Sequence, residues 1–311
     1  MTPPEAPAGA APLRIAIGIA TKGRAAVLTE TLRELLQQTR APDRIVACYS
    51  QPSDVDGAQA VPGVELLAGP TGSAHQRNAI LDAVADCDVV LFLDDDFLPA
   101  PRYVEATAAA FEAVADLVVT TGWVIADGMR GPGLDFAAAR ALIAADRHEG
   151  DRHGRDGHAG DWPGLAPAWH GYGCNMAARL AAVRGHGVRF DERLPLYAWY
   201  EDIDFTRRLA QHGQVMLVAA ARGVHLGAKS GRTSGLRLGY SQVMNPVYLA
   251  RKGSYPWNHA VRSIGRHLLA NAVRSLRPEP HVDRRGRAVG NMRALLDLAR
   301  GRVTPERILH M

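Results

Sequence analysis

Cysteine is scarce in this sequence. Its three thiols, Cys48, Cys87 and Cys174, are scattered and odd in number, and no Cys-x-x-Cys pair occurs. A disulfide framework is thereby excluded and a structural zinc site disfavoured, which fits a reducing, cytoplasmic compartment. Long hydrophobic runs are missing too. Nowhere do 18 apolar residues follow one another, so no segment is expected to span a membrane. The first dozen residues, MTPPEAPAGAAP, lack the basic start and apolar centre of a signal peptide and read as a disordered leader. Neither Gly-x-Gly-x-x-Gly nor a Gly-x-x-x-x-Gly-Lys-Ser/Thr loop is present, which disfavours dehydrogenases and P-loop NTPases. No internal repeat is visible.

What is present suits a globular chain. At 311 residues and 47% hydrophobic, it can bury a core that needs no staples. Single α/β units run to about 200–250 residues, so one such unit with an appendage is expected. The net charge of +4 is unevenly placed. From Arg222 onward there are 17 Lys and Arg against four acids, so the earlier part is net acidic. A basic C-terminal part points to an anionic neighbour: diphosphate, lipid head groups or nucleic acid. A plain solvated basic surface accounts for the charge equally well.

The N-terminal half alternates two periodicities. Strand-like runs at Leu13–Ala20, Arg44–Tyr49, Val64–Leu67, Asp88–Leu93 and Leu117–Thr121 are separated by helical patterns at Ala25–Gln38, Gly72–Ala85 and Pro101–Val114. The run DVVLFL is continuously apolar, as in a parallel strand buried on both faces. This rhythm predicts an α/β fold with a mainly parallel sheet, whose ligands bind beyond the carboxyl ends of the strands. Residues 127–168 read as a mobile loop with one possible helix, Leu134–Asp146. The stretch 148–165 carries His148, His153 and His158 without recognisable ligand spacing. A helix at Glu201–His212 and a strand at Val215–Ala219 follow. Helices are then predicted at Leu236–Lys252, Asn258–Leu276 and Gly286–Gly301.

Chemistry is carried by a few clusters. Asp94-Asp95-Asp96 directly follows the buried run. Adjacent carboxylates raise one another's pKa unless neutralised, and Mg²⁺ or Mn²⁺, which take oxygen ligands and bridge to diphosphate, would neutralise them. The competing reading is one helix-capping acid and two solvated ones. Arg77-Asn78 sits early in a helix, where an Arg either reaches a phosphate or lies on the surface. Gly171-Tyr-Gly-Cys-Asn-Met176 reads as a turn with a helix starting near Ala177. Glu201-Asp202-Ile203-Asp204 opens a helix, either as a well-placed acidic first turn or as the seat of a general base. Tyr197, Trp199 and Tyr200 beside it could stack on a sugar, and His225 follows a strand-like segment.

The order of these clusters resembles the family 2 glycosyltransferases, which have the GT-A fold and invert the anomeric centre. The series runs from Thr21-Lys22-Gly23-Arg24 through Arg77-Asn78, Asp94-Asp95-Asp96, Gly173-Cys174-Asn175-Met176 and Glu201-Asp202-Ile203-Asp204 with Arg207 to His225. The resemblance covers roughly residues 13–252. It implies donor contacts from Thr21, Arg24, Arg77, Asp94 and Asp95, and a metal, Mn²⁺ or Mg²⁺, held by Asp96 and His225. It further implies Asp202 as catalytic base, and a pocket shaped by Asn175, Met176, Trp199 and Glu201. A catalytic unit over 13–234 and a basic helical extension over 235–311 follow from the same match.

The implied donor is a nucleoside-diphosphate sugar, and the implied acceptor a hydroxyl of a glycan or glycolipid in bacterial cell-surface synthesis. The family often has an Asp-Asn/Gly-Ser turn after the second strand. Here Tyr49-Ser-Gln-Pro-Ser-Asp54 replaces it, which leaves UDP, dTDP and GDP donors open. Around Val261, Ile264, Leu268, Leu269 and Val273 the C-terminal part has a basic amphipathic helix. Such a helix can lie on an anionic membrane from the inner face, or pack on the catalytic unit. A sugar-nucleotide pyrophosphorylase would open with a Gly-rich basic loop that this chain lacks. A non-catalytic sugar-nucleotide binder would not need Asp96, Asp202 and His225. A nucleic-acid partner leaves the strand-end acids without a role.

Overall fold

In the computed structural model, which describes residues 11–146, 164–230 and 234–311, one nine-stranded sheet organises the chain. The strands are β1 Ile15–Ala20, β2 Arg44–Tyr49, β3 Val64–Ala68, β4 Val89–Asp94, β5 Phe97–Pro99, β6 Leu117–Asp127, β7 Leu165–Pro167, β8 Asn175–Arg179 and β9 Gln214–His225. The helices are α1 Ala25–Leu35, α2 Ser73–Ala83, α3 Tyr103–Ala113, α4 Phe136–Ala145, α5 Leu180–Gly185, α6 Glu201–Leu209, α7 Gly235–Lys252, α8 Trp257–Arg274 and α9 Arg284–Ala299. Along the sheet the order is β3-β2-β1-β4-β8-β6-β9-β5, with β7 paired to β9.

The first four strands are parallel, as the alternating pattern predicts. Beyond β4 the sheet is mixed: β8 runs antiparallel between β4 and β6, and β6 pairs with β9 in parallel. Strand β4 shows why its sequence is apolar throughout. Val90 and Phe92 enter one core, while Val89, Leu91 and Leu93 enter the other. Period-two alternation thus delivers every residue to a covered face. On one side Ile80 and Leu81 of α2 share a core with Phe205 of α6; on the other, Leu28 and Leu32 of α1 share one with Val104 and Phe111 of α3. Each such side chain contributes about 1.5–3 kcal/mol by leaving water.

Two expectations are corrected here. The Gly171–Met176 segment does not lead into a helix at Ala177. It leads into β8, and the helix starts only at Leu180. Small residues Ala177 and Ala178 sit there because β8 is flanked on both edges and faces. Strand β6 also continues to Asp127, six residues past the expected end, with register shifts between Leu117 and Val119, Gly122 and Trp123, and Val124 and Ala126. A Cβ at Gly122 would collide with Tyr103, so glycine there permits close packing.

The C-terminal helices do not form a detached appendage. Leu249, Ala250, Tyr255 and Ala260 join the core that contains Phe190, Ile203 and Phe205. Helix α7 keeps Pro246 in its interior, buried. Against α9 the backbones nearly touch, for a Cβ at Gly239 would meet the Arg287 carbonyl and one at Gly290 the Leu236 carbonyl. No described helix is long and apolar enough to cross a membrane. The expected leader over residues 1–10 and the histidine-rich stretch with His148, His153 and His158 lie outside the described residues.

Candidate active site

The acidic run sits where β4 leaves the sheet, and its three carboxylates go three ways. Asp94 ends the strand and is partly exposed; one oxygen lies 3.1 Å from Arg77 and the other 3.9 Å from His225 Nε2. Asp95 turns inward and is wholly buried. Its carboxylate accepts from Thr21 Oγ1 at 2.7 Å and pairs with Arg24 at 2.6 Å, while its carbonyl accepts from Thr31. Asp96 accepts from the Ala228 amide at 2.7 Å and pairs with Arg24 at 3.3 Å. The plain reading, one capping acid with two solvated ones, fails because Asp95 and Asp96 are both buried.

His225, the last residue of β9, arrives opposite Phe97 through the antiparallel β5 pairing. Its Nε2 is 3.4 Å from Asp96 Oδ1, and its Nδ1 is 3.0 Å from Asp127 Oδ1. Burial would lower the imidazole pKa, but its bonds to Asp127 and Asp96 push it up to about 10. Burial also acts to raise Asp96, yet His225 and Arg24 hold it at about 2. Burial pushes Asp95 up to about 7 against the pull of Arg24.

Donor atoms of Asp94, Asp96 and His225 lie within 4.8 Å of one another. Asp96 Oδ1 is buried, and beyond the 3.4 Å approach of His225 Nε2 it accepts from no described protein donor. Two carboxylates and one imidazole match the preference of Mn²⁺ and related divalent ions, so this donor set fits a metal. Asp127 would orient the imidazole from behind, and Tyr172 Oη donates to its other oxygen at 3.2 Å. Sequence reasoning missed Asp127, because β6 was expected to stop before it.

The acidic first turn of α6 faces the same region. Asp202 Oδ2 accepts from the Gly173 amide at 2.9 Å, and a Cβ at residue 173 would lie 3.2 Å from that oxygen. The Gly173 carbonyl accepts from Arg77 at 2.7 Å, and Arg77 also holds Asp94. One glycine therefore ties the α6 carboxylate to the β4 carboxylate. The turn into α6 is strained: Leu196, Ala198 and Tyr200 have φ of 61°, 51° and 76°. Left-handed non-glycine residues cost roughly 1–3 kcal/mol each and persist where their surroundings fix them. Here the Leu196 carbonyl accepts from the Ser73 amide, the Trp199 carbonyl accepts from Asn245, and Tyr200 Oη lies 2.6 Å from Ser263 Oγ.

Several of the expected site residues are committed to partners within the protein. Asp95 is buried, with its carboxylate held by Thr21 and Arg24. Thr21 is itself buried with its hydroxyl committed to Asp95. Arg77 is 3% exposed, and its guanidinium is shared among Glu201, Asp94 and the Gly173 carbonyl between the rings of Phe92 and Phe190. Glu201, expected in the pocket, is buried as the counter-ion of Arg77 at 2.7 Å, and burial pushes its pKa up to about 8 against that pairing. Asn175 and Met176 lie inside the sheet on β8, where Asn175 bonds Thr121 and the Gly122 carbonyl. Trp199 is half-buried with its ring stacked on Tyr200, whereas Tyr197 is 46% exposed. Arg207 lies over the Trp169 ring and donates to the Trp169 carbonyl.

Comparison with known proteins bears on the fold that carries these residues. Residues 16–138 match the model of the family described as Glycosyl transferase family 2. No curated protein matches the chain in sequence. Among solved structures, S. aureus TarS 1-349 in complex with UDP-GlcNAc is similar at 14% identity over 95% of this chain and 83% of that one, with TM-score 0.53. The mannosyltransferase PcManGT from Pyrobaculum calidifontis, in complex with GDP-Man and Mn²⁺, is similar at 16% identity over 96% and 86%, with TM-score 0.52. GalNAc-T7 with UDP, GalNAc and Mn²⁺ is similar at 13% identity over 96% of this chain and 56% of that one, with TM-score 0.54. At such identities the likeness establishes the fold. Residues 16–138 thus match glycosyl transferase family 2, within a chain that shares a GT-A-like fold with these transferases over almost its full length.

Proposed function

We propose that this chain transfers a sugar from a nucleoside-diphosphate donor to a hydroxyl of a glycan or glycolipid, with inversion at the anomeric carbon. The observation that carries the reading is the convergence of Asp94, Asp96 and His225, joined through Arg77 and Gly173 to Asp202. The acceptor oxygen forms its bond to the anomeric carbon as the bond from that carbon to the diphosphate oxygen breaks. The electron pair leaves with the nucleoside diphosphate, and the acceptor proton goes to the Asp202 carboxylate. Asp94, Asp96 and His225 would hold a divalent ion, Mn²⁺ or Mg²⁺, which would supply positive charge for the departing diphosphate. Arg77, bonded to both Asp94 and the Gly173 carbonyl, keeps the two carboxylate groups in fixed register. Arg24 holds Asp96 from below, and the strained turn through Tyr200 aims Asp202.

The proposed catalytic unit spans residues 13–234, with residues 235–311 as an extension that braces α6. Three unpaired, buried thiols support a reducing, cytoplasmic setting. UDP, dTDP and GDP sugars are the candidate donors. The test is release of nucleoside diphosphate from each sugar donor with Mn²⁺ or Mg²⁺ and with EDTA. Asp202→Asn is expected to keep nucleotide affinity while kcat falls roughly 10²–10⁴-fold, the worth of a general base. Wild-type turnover in that variant would remove Asp202 from the role.

A further inference from the structure

Helix α8 presents two unlike faces. Its inner face is built into the molecule: Ala260, Ser263 and Asn271 are buried, and Asn271 donates to Gln242 and Asn291. Its outer face carries Trp257, Val261, Leu269 and Val273, each more than half exposed, and the chain just beyond adds Leu276 at 80%. At 100° per residue these five fall within less than half of the helix circumference. Exposed Arg262, Arg266 and Arg277 fall at or just past one edge of that stripe, while Arg274 lies further round the helix and pairs with Glu279, and α8 contains no acid. Neighbouring α9 shows a second exposed stripe, Val289, Met292 and Leu296.

We propose that the outer face of α8, assisted by α9, docks on an anionic lipid bilayer. Apolar side chains at this spacing bury in the boundary between head groups and acyl chains, and arginines at the stripe's edge meet lipid phosphates. Trp257, at the helix start, is the residue type that settles at this boundary. Pairing with a second copy fits less well, because an antiparallel two-fold contact would set the arginine edge against itself. No described helix can cross a membrane, so the contact is interfacial. The inner face of the same helix holds the candidate base's approach, through Ser263 on Tyr200 and His267 against Trp199. A bilayer-docked α8 thus places the α6 turn near the membrane, where a glycolipid acceptor would be met.

Flotation of the full chain with vesicles tests this, using phosphatidylcholine alone and phosphatidylcholine mixed equally with phosphatidylglycerol. Binding is expected to the anionic vesicles only, to weaken with added salt, and to shift Trp257 fluorescence to the blue. Arg262→Gln with Arg266→Gln should weaken binding by about fivefold per arginine removed. Val261→Asp with Leu269→Asp should abolish binding without moving the melting temperature, since both side chains point outward. Undiminished binding by the Val261→Asp, Leu269→Asp variant overturns the proposal, as does equal binding to both vesicle types. Absence of vesicle binding together with self-association that this variant removes assigns the face to a second copy instead.

Discussion

Arg77 shows how one side chain organises the site without standing at its surface. It is buried with two carboxylates and a carbonyl as partners, and aromatic rings cover its flanks. Removing one member of such a set leaves charge buried and uncompensated, at about 3–5 kcal/mol. Arg77→Met should therefore lower unfolding stability by that amount in urea titrations. Pairing it with Glu201→Leu should restore part of the loss. A single variant as stable as wild type would contradict the positioning role. At this scale residue types were legible and side-chain directions were not. Asp94 and Asp95 read alike as donor contacts, yet Asp94 turns to His225 and Asp95 into the core. Glu201 and Asp202 are neighbours in sequence, but one neutralises a buried cation while the other accepts from a loop amide. Only the surrounding strands and helices decide such directions.

Helix α8 is the element on which the extension's stability turns. His267 lies edge-on to Trp199, and burial, then Arg266, Arg287 and Arg284, lower its pKa from 6.5 to about 4. The unfolded chain takes up this proton first as pH falls. The stabilisation from a neutral His267 is therefore complete above pH 6.5 and is lost as pH drops towards about 4, a loss of at most about 3 kcal/mol. Melting temperature followed across that window should fall for the wild type and fall less for His267→Gln. Identical slopes would contradict the account. Most elements were readable from period alone, because long amphipathic helices such as α1 and α8 and apolar strands such as β4 carry strong signals. Strand β8 was not. Its alanines fit a helix as readily, and only its place between β4 and β6 makes it a strand.

Over the whole molecule, an acidic N-terminal part and a basic C-terminal part serve different surfaces of one body. Asp94 and Asp96 at the end of β4 and His225 at the end of β9 gather into a donor set, while the arginines of α8 face outward. The fold class and the order of the motifs were visible in the chain, because the β-α alternation and the strand-end acids are local features. Asp127 and the bracing role of the extension were not, since both depend on contacts between residues far apart in sequence. The central claim is a metal-dependent nucleotide site built by Asp94, Asp96 and His225. Thermal melting of wild type and Asp96→Asn against UDP, dTDP and GDP, each with Mn²⁺ or with EDTA, tests it most directly, because a ligand bound only to the native state raises its stability. The account predicts that at least one diphosphate raises the wild-type melting temperature only with Mn²⁺, and that Asp96→Asn loses the shift. A shift that is the same in EDTA, or that survives in Asp96→Asn, would contradict it.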